Sequence, residues 1–399
     1  MELISRYSDV NQMARGIYFL SELPSSQCAE IARFLVNKSI SEDRIGFYKD
    51  ISAIIKSRLL PNQNYGLLSD EEFVSWEIKF KEGADQREYK ITQSKNAGLK
   101  DSYRVNILEL AGYYYKAGDM NNSLKLLLRA KDLTVTAEQQ YELYSRMTFT
   151  SLYKKNMSFT QNNAQKVLSL VTMPEKNLLP AAVIMGICSI DNANYKTATE
   201  YFLRTAGDNS QELACNSDLA AYISICALAS MDRKTISNEV TQSKAFITYS
   251  EEEPKYIELL ECFLTCKFNR LIQILEDIRK QMLLDVYIGK YMTNLCDEIK
   301  SRCLIQFMKA FKKIRISELA LNFVCSEEDI EEKLVKLIAD GKIDARIDAH
   351  QKTVMSRQVD EKNKVNRTVL NIAKSFMHNT QLVLLRMSML KADVVVRGK

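Results

Sequence analysis

Glycine and proline are scarce in this 399-residue chain, at 12 and 5 residues, where usage of about 7% and 5% is ordinary. Few chain breakers leave few tight turns, and the expectation moves to helix. Histidine occurs twice, at His350 and His378, which excludes HExxH and any motif that needs a close histidine pair. His378 has no second ligand near it in sequence and reads as a packing residue; His350 reads as an exposed turn residue. No GxxxxGK[ST], GxGxxG or GxSxG stretch is present. Ser151 and Lys154 match SxxK, a pattern short enough to arise by chance in a chain of this length. Cys262 and Cys266 lie one helical turn apart, but no further ligands cluster with them to make four. No catalytic residue, metal site or cofactor site is assigned, and the chain is not expected to be an enzyme.

Long apolar runs are also missing: no window reaches 18 uninterrupted apolar residues, and "MELISRYSDVNQM" lacks the basic-then-apolar order of a signal peptide. A soluble intracellular protein without a membrane partner is expected. Nine cysteines, an odd number without CxxC spacing, suit a reducing compartment. The net charge of +5 is unevenly spread: residues 349–399 hold ten Lys or Arg and three Asp or Glu, so they carry +7 and the rest −2. Such a tail suits either a solvated helix face or an acidic partner, nucleic acid included.

What the chain does contain is a repeat. "GDMNNSLKLLLRA", "NMSFTQNNAQKVLSLV", "NYKTATEYFLRTA", "SMDRKTISNEV" and "CKFNRLIQILEDI" share anchors Met120, Met157, Tyr195, Met231 and Phe268, in steps of 37, 38, 36 and 37. That period belongs to helix-turn-helix solenoids of the tetratricopeptide type, in which stacked helix pairs share one continuous core. Leu124, Leu127 and Leu128 in the first repeat, and Ala198, Phe202 and Thr205 in the third, have the spacing of one helical face. Residues 1–100 read as a mostly helical region. In it "SDEE" at Ser69 caps a long helix that carries Trp76 as a core anchor, and Pro61 stops "YKDISAIIKSRLL". Residues 101–285 hold the repeats. Beyond them, "LLDVYIGKYMTNLCDEIKSRCLIQFMKAF" reads as a near-continuous helix joining the solenoid rigidly to the C-terminal region.

Between residues 286 and 358 the hydrophobic period changes. Ser317 is placed to cap a short helix with Leu319, Ala320 and Phe323 inward. Ser326 caps a second, with Asp329 reaching back as in a capping box. Ile330, Leu334, Leu337 and Ile338 form its apolar stripe, and Gly341 its left-handed stop. Ile343, Ala345 and Ile347 then alternate with polar residues, "AHQK" turns, and "TVMSR" returns as a strand carrying Val354. Helix, helix, hairpin is the order of a winged helix. The first turns of the second helix carry Glu327, Glu328, Asp329, Glu331 and Glu332, and such acids repel the phosphates a recognition helix must approach. The exposed strand edge instead suits pairing with another subunit.

Helical repeats running into a terminal winged helix resemble the PCI-domain family, shared by scaffolds of the proteasome lid, the COP9 signalosome and translation initiation. "LLDVYIGKYMTNLCDEIKSRCLIQF", "LIADGKIDARIDAHQK" and "SRQVDEKN" resemble the signalosome members most, and "YYYKAGDMNNSLKLLLRAKD" and "CALASMDR" add to the likeness. The proteasome-lid paralogue, with its similar "GKI…ID" strand, is the nearest alternative, and a nucleic-acid adaptor using the basic tail is an alternative of another kind. The resemblance implies a mainly α fold, with the helical part of the PCI domain from about residue 190. It also implies a non-catalytic scaffold whose partners are other signalosome subunits and, through the complex, cullin-RING ligases, in cytoplasm and nucleus. The zinc isopeptidase that removes a ubiquitin-like modifier from cullins would then belong to another chain.

Residues 359–399 close the chain as a helix and tail. From Lys362 to Lys391 no Gly or Pro intervenes, and 30 residues at 1.5 Å each span roughly 45 Å. Val365, Val369, Ile372, Phe376, Val383 and Leu390 form a stripe that Leu382, Leu385 and Met389 widen. A small winged helix cannot cover that length, so partner helices in a bundle are expected. The expected interface comprises Ile343, Ala345, Ile347 and Val354 of the wing and Val369, Ile372, Phe376, Val383 and Leu390 of the helix.

Overall fold

The computed structural model describes residues 6–7, 9–23, 25–58, 65–170, 174–205, 213–356, 361–392 and 394. Pro61, expected as a helix stop, lies outside them. The chain divides into two compact units, Met1–Cys303 and Leu304–Lys399. The division falls inside one helix.

The first unit is helical throughout its described residues. It opens with α1 (Asp9–Glu22), α2 (Ser25–Ser41), α3 (Ile45–Arg58), the long α4 (Asp70–Asn96) and α5 (Lys100–Ala117). There follow α6 (Met120–Ala130), α7 (Ala137–Tyr153), α8 (Met157–Leu168), α9 (Glu175–Asp191), α10 (Tyr195–Leu203) and α11 (Asn216–Ser230). A short α12 (Arg233–Thr235) runs into a π-helical turn, Ile236–Val240. Then come α13 (Lys244–Ser250), α14 (Lys255–Leu264), α15 (Phe268–Met282) and α16 (Met292–Met308), the last shared by the two units. From α4 to α11 each helix packs on the next, as in a solenoid.

The repeat has a backbone cause. Asp43, Gly118, Lys155, Ala193 and Cys266 all take positive φ, between 53° and 94°. At each, the left-handed residue's N–H bonds the carbonyl three residues back, and the next N–H the carbonyl five back, the paired bonds that close a helix C-terminus. The next helix starts two residues after the left-handed one, at Ile45, Met120, Met157, Tyr195 and Phe268. Asp119 and Asn156 cap two of these starts through the N–H groups of Asn122 and Phe159. Four of the five sequence anchors are therefore first residues of second helices, and Ile45 is a further one. Met231 departs from the pattern: its backbone is extended and α12 begins two residues later. In α6 the buried face is Ser123, Leu126, Leu127 and Ala130, and Leu128 is exposed; the inward face is turned by one residue from the leucine spacing. Ala198, Phe202 and Thr205 are all fully buried.

Ser69 caps α4 with a complete capping box to Glu72. Trp76 packs edge-on to Tyr48 and Phe73 and donates its indole N–H to Asp43 at 3.0 Å, fixing α4 to the α2–α3 turn. The stretch from Leu283 to Phe311 is not one helix. It turns at 283–291 before α16 begins, because Asp285 spends its carboxylate on the N–H groups of Tyr287 (2.8 Å) and Ile288 (3.1 Å).

That same Asp285 anchors a buried charge cluster. Arg15 of α1 donates to it at 2.8 Å and stands 3.5 Å from Asp218 of α11. The Tyr222 hydroxyl donates to Asp285 at 2.8 Å, Tyr7 donates to Asp218, and the guanidinium lies 4.0 Å from the Tyr7 ring centre. Burial opposes the charge on Arg15, but Asp285 and Asp218 outweigh it and hold the guanidinium ionised. Ser217 to Ala229 of α11 are buried in an unbroken run, so this helix has no solvent face to which Asp218 could turn. The cluster ties the start of the unit to its far end across 270 residues of sequence.

The second unit contains the end of α16, β1 (Lys313–Arg315), α17 (Ile316–Phe323), α18 (Glu327–Ala339), β2 (Ala345–Asp348), β3 (Thr353–Ser356) and α19 (Glu361–Lys391). The strands form an antiparallel sheet in the order β1-β3-β2. Strand β1 is too short, at three residues, to show an alternating pattern in the sequence. It also moves a cap: Arg315, leaving the strand, precedes α17, and Ser317 is already inside the helix. Ser326 caps α18 through the Asp329 N–H, while the Asp329 carboxylate accepts from the Ser326 hydroxyl at 2.6 Å. Gly341, at φ +69°, closes α18 with the same pair of bonds used in the solenoid.

Two outcomes are expected in urea and thermal unfolding. Arg15→Met should destabilise the fold by about 3–5 kcal/mol, because two carboxylates stay buried without their cation; adding Asp285→Asn should recover part of the loss. Ala193→Gly should be neutral or stabilising by up to about 1 kcal/mol, whereas Ala193→Val should cost about 1–2 kcal/mol.

Candidate functional site

The surface that bears on function is built in the second unit from the wing and α19. Ile330, Leu334 and Leu337 of α18 and Ile316, Leu319 and Phe323 of α17 are buried, and they fix the small core against which the sheet is laid. In the sheet, Ile347 stands opposite Val354, and Val354 opposite Ile314. Val354 is fully buried and Ala345 nearly so, so neither side chain is available to a partner; both belong to the inner face of the hairpin. Ile343 and Ile347 are half-buried, and Ile343 precedes the strand. The wing's offering is therefore backbone: β2 pairs with β3 on one side and with no strand on the other among the described residues.

The acidic first turn of α18 is present as such, with Glu327, Glu328 and Asp329 ahead of the helix interior. Glu327 holds Lys352 of the wing turn at 2.7 Å, and this hydrogen bond raises the lysine's pKa. Glu332 pairs with Lys336 at 2.6 Å. These two lysines are matched to carboxylates, and the further acids of the first turn of α18 repel a phosphate backbone.

The terminal helix is different in kind. Its 31 residues present Val369 (56% exposed), Ile372 (62%), Phe376 (71%), Val383 (57%) and Leu390 (70%). Val365, Leu370, Met377, Leu382, Leu384, Leu385 and Met387 are also exposed. Scattered surface apolar residues need no explanation, but a continuous band of this length marks a contact surface. His378, read from sequence as packing, is exposed on the same helix.

Neither the SxxK serine nor the cysteine pair singled out in the sequence forms a chemical site. Ser151 is buried, donates to the Thr148 carbonyl at 3.0 Å and accepts from Thr160 at 2.8 Å, so it is not an exposed nucleophile. Cys262 is buried and Cys266 exposed, and among the described residues no group of three or more His, Cys, Asp or Glu could hold a metal ion. No helix of the described residues is long and apolar enough to cross a membrane. Sequence reasoning missed the Arg15–Asp285–Asp218 cluster, although each is a lone charge in an apolar stretch.

Comparison with known proteins places this geometry. Residues 275–358 match the PCI domain family and residues 73–239 the family described as 26S proteasome subunit RPN7. The chain is 28% identical over 313 residues to COP9 signalosome complex subunit 1b of Drosophila melanogaster, covering 76% of this chain and 60% of that protein. It is 25% identical over 381 residues to COP9 signalosome complex subunit 1 of Emericella nidulans, covering 90% and 76%. A 26S proteasome non-ATPase regulatory subunit 6 of Dictyostelium discoideum is 20% identical over 297 residues, covering 73% and 77%. The solenoid, the winged helix and these likenesses make the chain similar to PCI-domain proteins and, over most of its length, to COP9 signalosome complex subunit 1 of other organisms.

Proposed function

We propose that the chain is a non-catalytic scaffold subunit of the COP9 signalosome. The observation that carries this reading is the exposed apolar band of α19. Burying one Val, Leu, Ile, Phe or Met side chain contributes about 1.5–3 kcal/mol, and α19 holds at least a dozen such residues in water. Helices of sister subunits, packed side by side with it in a bundle, are the partners of matching chemistry. The free edge of β2 is the second contact, completed by a strand or backbone of a neighbouring winged helix.

In this role the protein organises the complex that removes a ubiquitin-like modifier from cullins and so regulates cullin-RING ligases. The metal chemistry belongs to another chain, and the assembly works in cytoplasm and nucleus. The proteasome-lid role is the neighbouring reading; the longer and stronger likenesses to signalosome subunits favour the first. Co-purification separates the two, with deneddylating subunits on one side and proteasome ATPases on the other. A role on duplex DNA through α18 is disfavoured by its acidic first turn.

Replacing Ile372, Phe376 and Val383 together by Asp should weaken incorporation into the complex by at least about tenfold, read by co-purification from cells, while the melting of the isolated protein stays unchanged. Full incorporation of the triple variant would contradict the assembly role of α19.

A further inference from the structure

The first unit holds a cavity of about 580 Å³ between α1, the α2–α3 turn and helices α5 to α7, within the range of small-molecule sites. The assembly role does not use it. Its lining carries three cations, Arg44, Lys116 and Arg146, against one carboxylate, Glu42. Arg146 is held in place by the Leu108 carbonyl at 2.9 Å and by Glu142 at 3.0 Å. Arg44 is nearly buried and is set by Glu42 at 2.6 Å. Guanidinium groups fixed in this way are organised for a phosphate or carboxylate before it arrives.

The lining also narrows the ligand. Tyr115, Phe149 and Tyr153 supply aromatic wall, suited to a planar ring. Asn11 is 2% exposed, and its amide N–H donates to the Leu213 carbonyl at 2.9 Å, which fixes the wall at that point. Gly112 adds room: a Cβ there would meet nothing within 4 Å but the Arg146 guanidinium, at 3.7 Å. A glycine inside a helix costs about 0.5–1 kcal/mol relative to alanine, and here it keeps the cavity open.

We propose that this cavity binds a small phosphate monoester with a planar ring, of the nucleoside monophosphate kind. The phosphate meets Lys116 and Arg146, and the ring lies on the tyrosine wall. The test is calorimetric titration of the full chain with AMP, adenosine and inorganic phosphate, alongside Gly112→Leu, which fills the space, and Lys116→Gln/Arg146→Gln, which removes charge. AMP should bind at least about tenfold tighter than either fragment. Gly112→Leu should abolish binding and the charge variant should weaken it about tenfold or more, with both variants melting as the parent does. Should Gly112→Leu fail to fold, the charge variant decides. AMP binding no tighter than phosphate, no AMP binding, or affinity unchanged in the charge variant would each overturn the proposal.

Discussion

A helix of 31 residues whose large apolar side chains nearly all stand in water is a structure waiting for neighbours. Solvent favours covering such a band, and within the second unit no described residue does so. The other features of the second unit are consistent with this demand. Its winged helix turns the side chains of Ala345 and Val354 inward and leaves the backbone of β2 as an open edge among the described residues. The face a DNA reader would make basic is acidic or already paired. Under the proposed assembly role, this unit is completed by other protein chains.

The first unit is complete in the way the second is not. Its helices stack through five turns of one design, each closed by a left-handed residue two positions before the next helix. Four of those residues are not glycine, so the sequence accepts local strain to keep the turn. Arg15 then joins the first helix to α11 and to the turn at Asp285. A buried ion pair adds little net stability compared with apolar packing, but it penalises any arrangement that separates its members. That makes it a device for fixing one register of the repeats.

Much of this was legible in the sequence, for physical reasons. The 36–38-residue period showed because one turn geometry recurs and places a large apolar residue at the start of each second helix; Met231 slipped because the chain there is extended. The hairpin and the capping of α18 showed because period-2 alternation and a Ser–x–x–Asp stretch are local signals. The rest depended on distant contacts. Whether Leu126 or Leu128 faces the core, whether Val354 points in or out, and what Asp285 does in an apolar run are decided by residues far along the chain. Strand β1 failed to show because three residues carry no period.

The central claim is that α19 is ordered by sister subunits. Hydrogen exchange of the backbone amides of residues 361–391 tests it most directly, compared between the isolated chain and the assembled complex. The account predicts fast exchange in isolation and strong protection on assembly; equal, fast exchange in both states would contradict it.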